Sequence, residues 1–173
     1  MHWCDIMKEA GAIISGILRI IHPEQYRMAY EMRSELLRQD HVASTLRRWP
    51  YIFSALSLIS NRETPLHRDR SGRHEWYDIL ISVGNYARAE FQLSSLGFRT
   101  DNTPGTLLAF SGSAIRHGAG EADGDRACYA LYMRAEMQSY THVRPAGFPS
   151  QAIFEPLIGH MRGKLRKLSS LSE

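Results

Sequence analysis

Ser60-Asn-Arg-Glu-Thr-Pro-Leu-His67-Arg68-Asp69 is an extended stretch that ends in a His-x-Asp pair; roughly fifty residues later comes His117, and then Arg126. Two imidazoles and one carboxylate make the facial ligand set that holds non-haem Fe(II) and leaves coordination positions open for chemistry. Residues i and i+2 near the end of a strand point to one side of the sheet, so His67 and Asp69 can reach one ion. His117 follows the apolar run Gly105-Thr-Leu-Leu-Ala-Phe110, where a second strand can bring it opposite the first pair. A His-x-Asp pair alone is a weak signal in a chain with 8 histidines. The order of ligands, each beside a strand-like run, strengthens it and predicts a double-stranded β-helix, or jelly roll.

Arg126 opens the run Arg126-Ala-Cys-Tyr-Ala-Leu-Tyr-Met133. Its guanidinium suits a bidentate grip on a carboxylate. A cosubstrate with a 2-keto acid at one end and a carboxylate at the other would fill two iron positions and still reach this arginine. 2-Oxoglutarate is that molecule, and O2 takes the remaining position. The expected catalytic and metal residues are therefore His67, Asp69 and His117, with Arg126 binding the cosubstrate. Asn61 could also place an amide near the iron or cosubstrate, although Asn is an ordinary strand-end residue.

Around this core the pattern reads as α+β. Ile13, Ile14, Ile17, Leu18 and Ile21 recur at helical spacing up to His22-Pro23. A second helix starts at Pro23-Glu24, with Tyr26, Ala29, Tyr30, Arg33 and Leu37 as its expected buried stripe. Tyr51 to Ile59 and Tyr77 to Val83 are apolar on both alternations, as in strands covered on both faces, whereas Ala89, Phe91 and Leu93 alternate with polar residues. The expected layout is one dioxygenase domain over 1–173: helical support over about 1–49, a jelly-roll catalytic core over 50–137 and a C-terminal helical extension over 138–173. Arg162, Lys164, Arg166 and Lys167 form a basic cluster in that extension, either a solvated face or a phosphate contact.

At 173 residues the chain can bury one proper core. It has no run of eighteen apolar residues, so no membrane span is expected. Its two cysteines, Cys4 and Cys128, lie far apart, which fits a reduced intracellular protein better than a disulfide scaffold. A net charge of +3 is compatible with a polyanionic partner without demanding one.

Ser60 to Asp69, Glu75-Trp-Tyr-Asp78, Pro104-Gly-Thr106, Phe110-Ser-Gly112, Arg116-His-Gly118 and Asp123-Gly-Asp-Arg126 through Tyr132-Met-Arg134 together resemble the TET/JBP branch of the Fe(II)/2-oxoglutarate dioxygenases, most closely its short fungal members. The resemblance runs from about Ile13 to Met137. It implies oxidation of a methyl group on a DNA base, most typically 5-methylcytosine to its hydroxymethyl, formyl and carboxyl forms, with N6-methyladenine as a second substrate of some related fungal proteins. It also implies a nuclear protein that acts in DNA demethylation. By position it makes His67, Asp69 and His117 the iron ligands and Arg126 the 2-oxoglutarate anchor. Cys128 stands where some animal relatives carry a Ser two residues beyond that arginine, which leaves the second cosubstrate contact open.

A methyl group inside a duplex is out of reach of a buried iron, so the base must be flipped into the pocket. Arg68, Arg70, Arg73 and His74 follow the first ligands and are candidates for contacting the substrate DNA, or for forming a solvated loop. Trp76 is a candidate stacking platform or a core residue. The same ligand set also fits a 2-oxoglutarate dioxygenase acting on a protein side chain or a small metabolite. A catalytically silent nucleic-acid binding module is the alternative of another class, although it would have no use for a complete open metal site. A monomer is expected.

Overall fold

Pro23 separates two helices because its ring blocks the preceding helical turn and pushes His22 out of the helical conformation, to φ −147° and ψ 70°. The computed structural model describes residues 3–70 and 72–150. In it α1 (Trp3–Ile6) leads into α2 (Lys8–Ile21), and α3 (Pro23–Leu37) and α4 (Asp40–Arg48) follow. The two expected helices are thus α2 and α3, and two short ones flank them. α4 carries Asp40 in its first turn and Arg47 and Arg48 in its last, which suits the helix dipole. It buries only Ala43, too little apolar surface to announce a helix by periodicity.

α2 buries Gly11, Ile14 and Leu18 and turns Ile13 and Ile20 to solvent. α3 differs from the expected stripe: it buries Gln25, Met28, Ala29 and Met32, so only Ala29 is shared, and Tyr30 is exposed. Polar anchors set this rotation. The Gln25 amide donates to the Tyr77 carbonyl at 2.8 Å and accepts from the Tyr77 N–H at 2.7 Å. His22 Nε2 meets the Glu75 carbonyl at 2.9 Å. These bonds satisfy backbone groups at the entrance to a strand, and burying them decides which face of α3 turns inward.

Among the described residues eight strands follow: β1 (Ala55–Ser60), β2 (Thr64–His67), β3 (Asp78–Asn85), β4 (Glu90–Leu93), β5 (Phe98–Asp101), β6 (Leu107–Phe110), β7 (His117–Ala119) and β8 (Asp125–Tyr132). They form two four-stranded sheets, ordered β1-β8-β3-β6 and β2-β7-β4-β5, and the pairs are antiparallel. The first and last strands lie side by side in one sheet, and consecutive strands switch sheets except for the paired β4 and β5, which is jelly-roll topology. The strand expected from Tyr51 begins only at Ala55; Tyr51 and Phe53 are instead buried under the helices, and Leu58 is exposed on the outer strand β1.

The period of two divides the work of the first sheet. Ile79, Ile81, Tyr129 and Leu131 face the helices and pack with Ile14, Leu18, Met28 and Met32. The alternate residues, Asp78, Leu80 and Ser82 on β3 and Arg126, Cys128 and Ala130 on β8, line a cavity between the sheets. After β8, α5 (Ala135–Thr141) packs against α3. The expected basic cluster, Arg162 to Lys167, lies outside the described residues.

Candidate metal centre

β2 ends at His67 and β7 begins at His117, and the two are direct partners in the ladder. Their rings lie 4.4 Å apart between centroids. Asp69 leaves the strand two residues on and is fixed by its N–H, which donates to the Gly112 carbonyl at 3.0 Å. Its carboxylate reaches back between the imidazoles, with Oδ1 3.4 Å from His67 Nε2 and Oδ2 3.8 Å from His117 Nε2. The three ligand atoms lie within 4.8 Å of one another.

Hydrogen bonding fixes which ring nitrogen is available. His67 Nδ1 is 2.9 Å from the Pro65 carbonyl and His117 Nδ1 is 2.9 Å from the Ile115 carbonyl. A carbonyl only accepts, so each Nδ1 carries a proton and each Nε2, on the Asp69 side, is the nitrogen left for a metal. Burial keeps His117 below the usual histidine range, which favours the neutral, ligating form. Phe91 stacks on its ring at 5.9 Å and Phe110 meets it edge-on at 4.8 Å. The other wall is open: the side chains of His67 and Asp69 are 40% and 44% exposed, against 5% for His117. Two oriented imidazoles, one carboxylate and an accessible flank fit a divalent iron with positions to spare.

Gly112 makes this arrangement possible. A Cβ there would stand 2.3 Å from Asp69 Oδ2 and 2.5 Å from Asp78 Oδ2, so only glycine leaves room for both carboxyl groups. Its N–H donates to Asp78 Oδ2 at 3.1 Å. Burial first, and the Asp69 charge second, push the Asp78 carboxyl up to about 7. A raised carboxyl stabilises the fold at low pH and loses that contribution as pH climbs through its folded value. The iron-free protein should therefore lose stability at about 1.4 kcal/mol per pH unit between roughly pH 4 and 7 on account of this group. Asp78→Asn keeps the acceptor for Gly112 and removes the charge. Its melting temperature should exceed the parent's at pH 8 and converge with it near pH 4; parallel curves would show that Asp78 carries its charge at no cost.

Arg126 is buried, 4% exposed, on the cavity floor. Nη1 donates to the Gly120 carbonyl at 2.9 Å and Nη2 to the Arg62 carbonyl at 2.7 Å. Asn61, expected beside the iron or cosubstrate, is a clamp on this arginine's backbone instead. Its Oδ1 accepts from the Arg126 N–H at 2.7 Å, its N–H donates to the Arg126 carbonyl at 2.8 Å, and its Nδ2 donates to Asp125 Oδ1 at 2.9 Å. A left-handed φ of 46°, which Asn tolerates, lets it do so.

The expected substrate residues divide. Arg70 lines the cavity and Arg68 is exposed beside the ligands. Arg73 is occupied: Nη2 donates to Gln138 Oε1 at 3.2 Å and its guanidinium lies 5.6 Å from the Trp76 ring centre. His74 Nδ1 meets Ser113 Oγ at 3.3 Å. Trp76 belongs to the core, 2% exposed, with its indole N–H donating to the Ala146 carbonyl at 3.2 Å, so its face does not line the cavity. Asp78, Ser82 and Arg62 line the cavity without having been singled out in the sequence. The signal for the first two was their even spacing on β3, legible only once the facing of that strand was known.

A search of curated proteins found no match. Among solved structures, the one described as NgTET1 in complex with 5mC DNA aligns with a TM-score of 0.48 and 13% identity, covering 70% of this chain and 52% of that one. The chain thus spans about half the length of that protein. A Cupin 2 conserved barrel domain protein from Salinispora arenicola CNS-205 aligns with a TM-score of 0.37 and 21% identity, over 54% of this chain and 76% of that one. The family model Tet_JBP, described as the oxygenase domain of the 2OGFeDO superfamily, matches residues 2–135. With that match over a metal triad, a buried arginine and a jelly roll, the chain belongs to the Tet_JBP family of 2-oxoglutarate- and Fe(II)-dependent oxygenases, whose chemistry uses Fe(II), 2-oxoglutarate and O2.

Proposed function

We propose that the chain oxidises the methyl group of a modified base in DNA, 5-methylcytosine foremost, to its hydroxymethyl and further oxidised forms, with N6-methyladenine as a second substrate. Membership of the Tet_JBP family, taken with the cations around the cavity mouth, carries this proposal. Arg62 and Arg70 line the cavity, and Arg68 and Arg116 are exposed next to the ligands His67 and His117. Positive charge grouped at one opening draws a polyanion and positions its backbone without reading its sequence.

His67, Asp69 and His117 would hold the iron, and Arg126 the distal carboxylate of 2-oxoglutarate. Bound there, the pair supplies oxidative decarboxylation coupled to oxidation of an unactivated C–H bond. The protein supplies position and dryness. Leu80, Phe91, Leu108 and Ala130 give the cavity an apolar part of its wall. The cavity encloses about 210 Å³. That is below the roughly 300 Å³ at which pockets for drug-sized ligands begin, so the cosubstrate fills the interior and the base meets the iron at the mouth. Such a base must leave the duplex stack, at a cost of a few kcal/mol that phosphate contacts help to offset.

The test is mass spectrometry of nucleosides after incubation of the protein with DNA carrying 5-methylcytosine, N6-methyladenine or neither, together with iron, 2-oxoglutarate and ascorbate. Oxidised cytosine products are expected. Succinate release that methylated DNA fails to stimulate would point to a protein or metabolite substrate. DNA affinity should fall steeply with salt, and Arg70→Ala should weaken it on all sequences while reducing the slope of log K against log salt by about one. An unchanged slope would remove Arg70 from the phosphate contacts. No helix among the described residues is long and apolar enough to cross a membrane.

A further inference from the structure

The distal carboxylate of 2-oxoglutarate has two oxygens, and two of the Arg126 nitrogens already donate to the carbonyls of Gly120 and Arg62. Of the guanidinium's five N–H donors these two bonds leave three for the carboxylate, whose roughly four lone-pair sites still have room for a further donor beside Arg126. The residue two beyond Arg126 on the same strand face is Cys128, whose thiol is a weak donor that burial pushes up and keeps protonated. It is no replacement for a hydroxyl.

The neighbouring strand supplies one. In the β3–β8 ladder Ser82 is the direct partner of Cys128, while the partner of Arg126 is Gly84, which has no side chain. The first β3 side chain that Arg126 meets on the cavity face is therefore that of Ser82, on the diagonal, within reach of a long side chain. Ser82 is 2% exposed and lines the cavity. Its floor neighbours Leu80 and Ala130 and the β6 residue Leu108 have apolar side chains. The Ser82 hydroxyl lies against the Cys128 thiol and the Tyr86 phenol, and the Arg126 charge acts on both of those groups. Hydroxyl, phenol, thiol and guanidinium thus share one end of the cavity. The Ser82 hydroxyl has polar neighbours there, and its proton can turn from one acceptor to another about the C–O bond.

We propose that Ser82 is the second anchor of the 2-oxoglutarate distal carboxylate, its hydroxyl donating to one oxygen while Arg126 holds the other. The strand pairing moves this contact from the position two beyond the arginine onto the adjacent strand. The proposal rests on the 2-oxoglutarate chemistry of the family and is independent of the DNA substrate.

The experiment is an anaerobic titration of the Fe(II)-loaded protein, read by the visible charge-transfer band of the iron–2-oxoglutarate chelate, so that no turnover is needed. Ser82→Ala should weaken 2-oxoglutarate at least tenfold, equivalent to about 1.4 kcal/mol. It should leave the binding of 2-oxobutyrate, which has the keto acid but no distal carboxylate, unchanged. Adding Cys128→Ser to Ser82→Ala returns a hydroxyl to the facing position and should recover most of the lost affinity. Wild-type affinity in Ser82→Ala overturns the proposal and passes the role to Asn102 or Thr64, which line the same cavity. Equal weakening for both keto acids also overturns it, since it would mark a packing defect. Should Ser82→Ala fail to fold, Ser82→Cys keeps the side-chain shape with a weaker donor, and the same keto-acid comparison decides.

Discussion

Arg126→Ala is expected to raise the apparent 2-oxoglutarate constant a hundredfold or more while iron still binds. The guanidinium is held by two carbonyls and its backbone is clamped by Asn61, so it is oriented before the cosubstrate arrives. Removing one partner of a buried charged pair costs about 3–5 kcal/mol, which at about 1.4 kcal/mol per decade exceeds a hundredfold. Arg126→Lys should recover only part, because an ammonium cannot reproduce the fork. The substitution also strips donors from Gly120 and Arg62, so thermal stability will fall in parallel. Measuring 2-oxobutyrate beside 2-oxoglutarate separates the two effects, since only the second ligand has a carboxylate to lose. An unchanged 2-oxoglutarate constant in the Ala variant would hand the anchor to Arg62 or Arg70, the other cations on the cavity wall.

The grouping of His67, Asp69 and His117 was legible in the sequence because its geometry is local. A His-x-Asp pair at a strand end shares a side by the period of two, and His117 needed only an antiparallel partner, which the ladder supplies by pairing it with His67. Asn61 and Ser82 were not legible in the same way. Asn61 works on a residue 65 positions away. Ser82 looks like a polar interruption in an apolar run until register shows that its partner is Cys128. The α3 stripe was misread for a related reason. Periodicity ranks faces by apolarity, whereas buried His22 and Gln25 bind the strand entrance and so choose the face by hydrogen bonding. At Trp76 the sequence offered a stacking surface or a core position, and the structure has the core one, with the indole N–H donating to the Ala146 carbonyl.

Loss of iron is the other large effect expected, by two routes that differ in kind. The double variant His67→Ala, Asp69→Ala removes two of three ligands and should carry no stoichiometric iron after anaerobic reconstitution. Retention of wild-type iron would refute the ligand assignment. Gly112→Ala removes no ligand and should nonetheless bind iron poorly. Its new methyl would fall 2.3 Å from Asp69 Oδ2 and 2.5 Å from Asp78 Oδ2, far inside van der Waals contact. Gly112 itself cannot retreat easily, since its carbonyl accepts from the Asp69 N–H and its N–H donates to Asp78. The carboxylate of Asp69 must then swing toward solvent, on the side where it is already 44% exposed, and leave the two imidazoles without their shared anion. Adding Asp78→Ala empties one side of the crowded point and should restore part of the iron binding to Gly112→Ala. Full iron occupancy in Gly112→Ala alone would mean that Asp69 can ligate from a second rotamer, and that the glycine serves the packing of Asp78 rather than the metal.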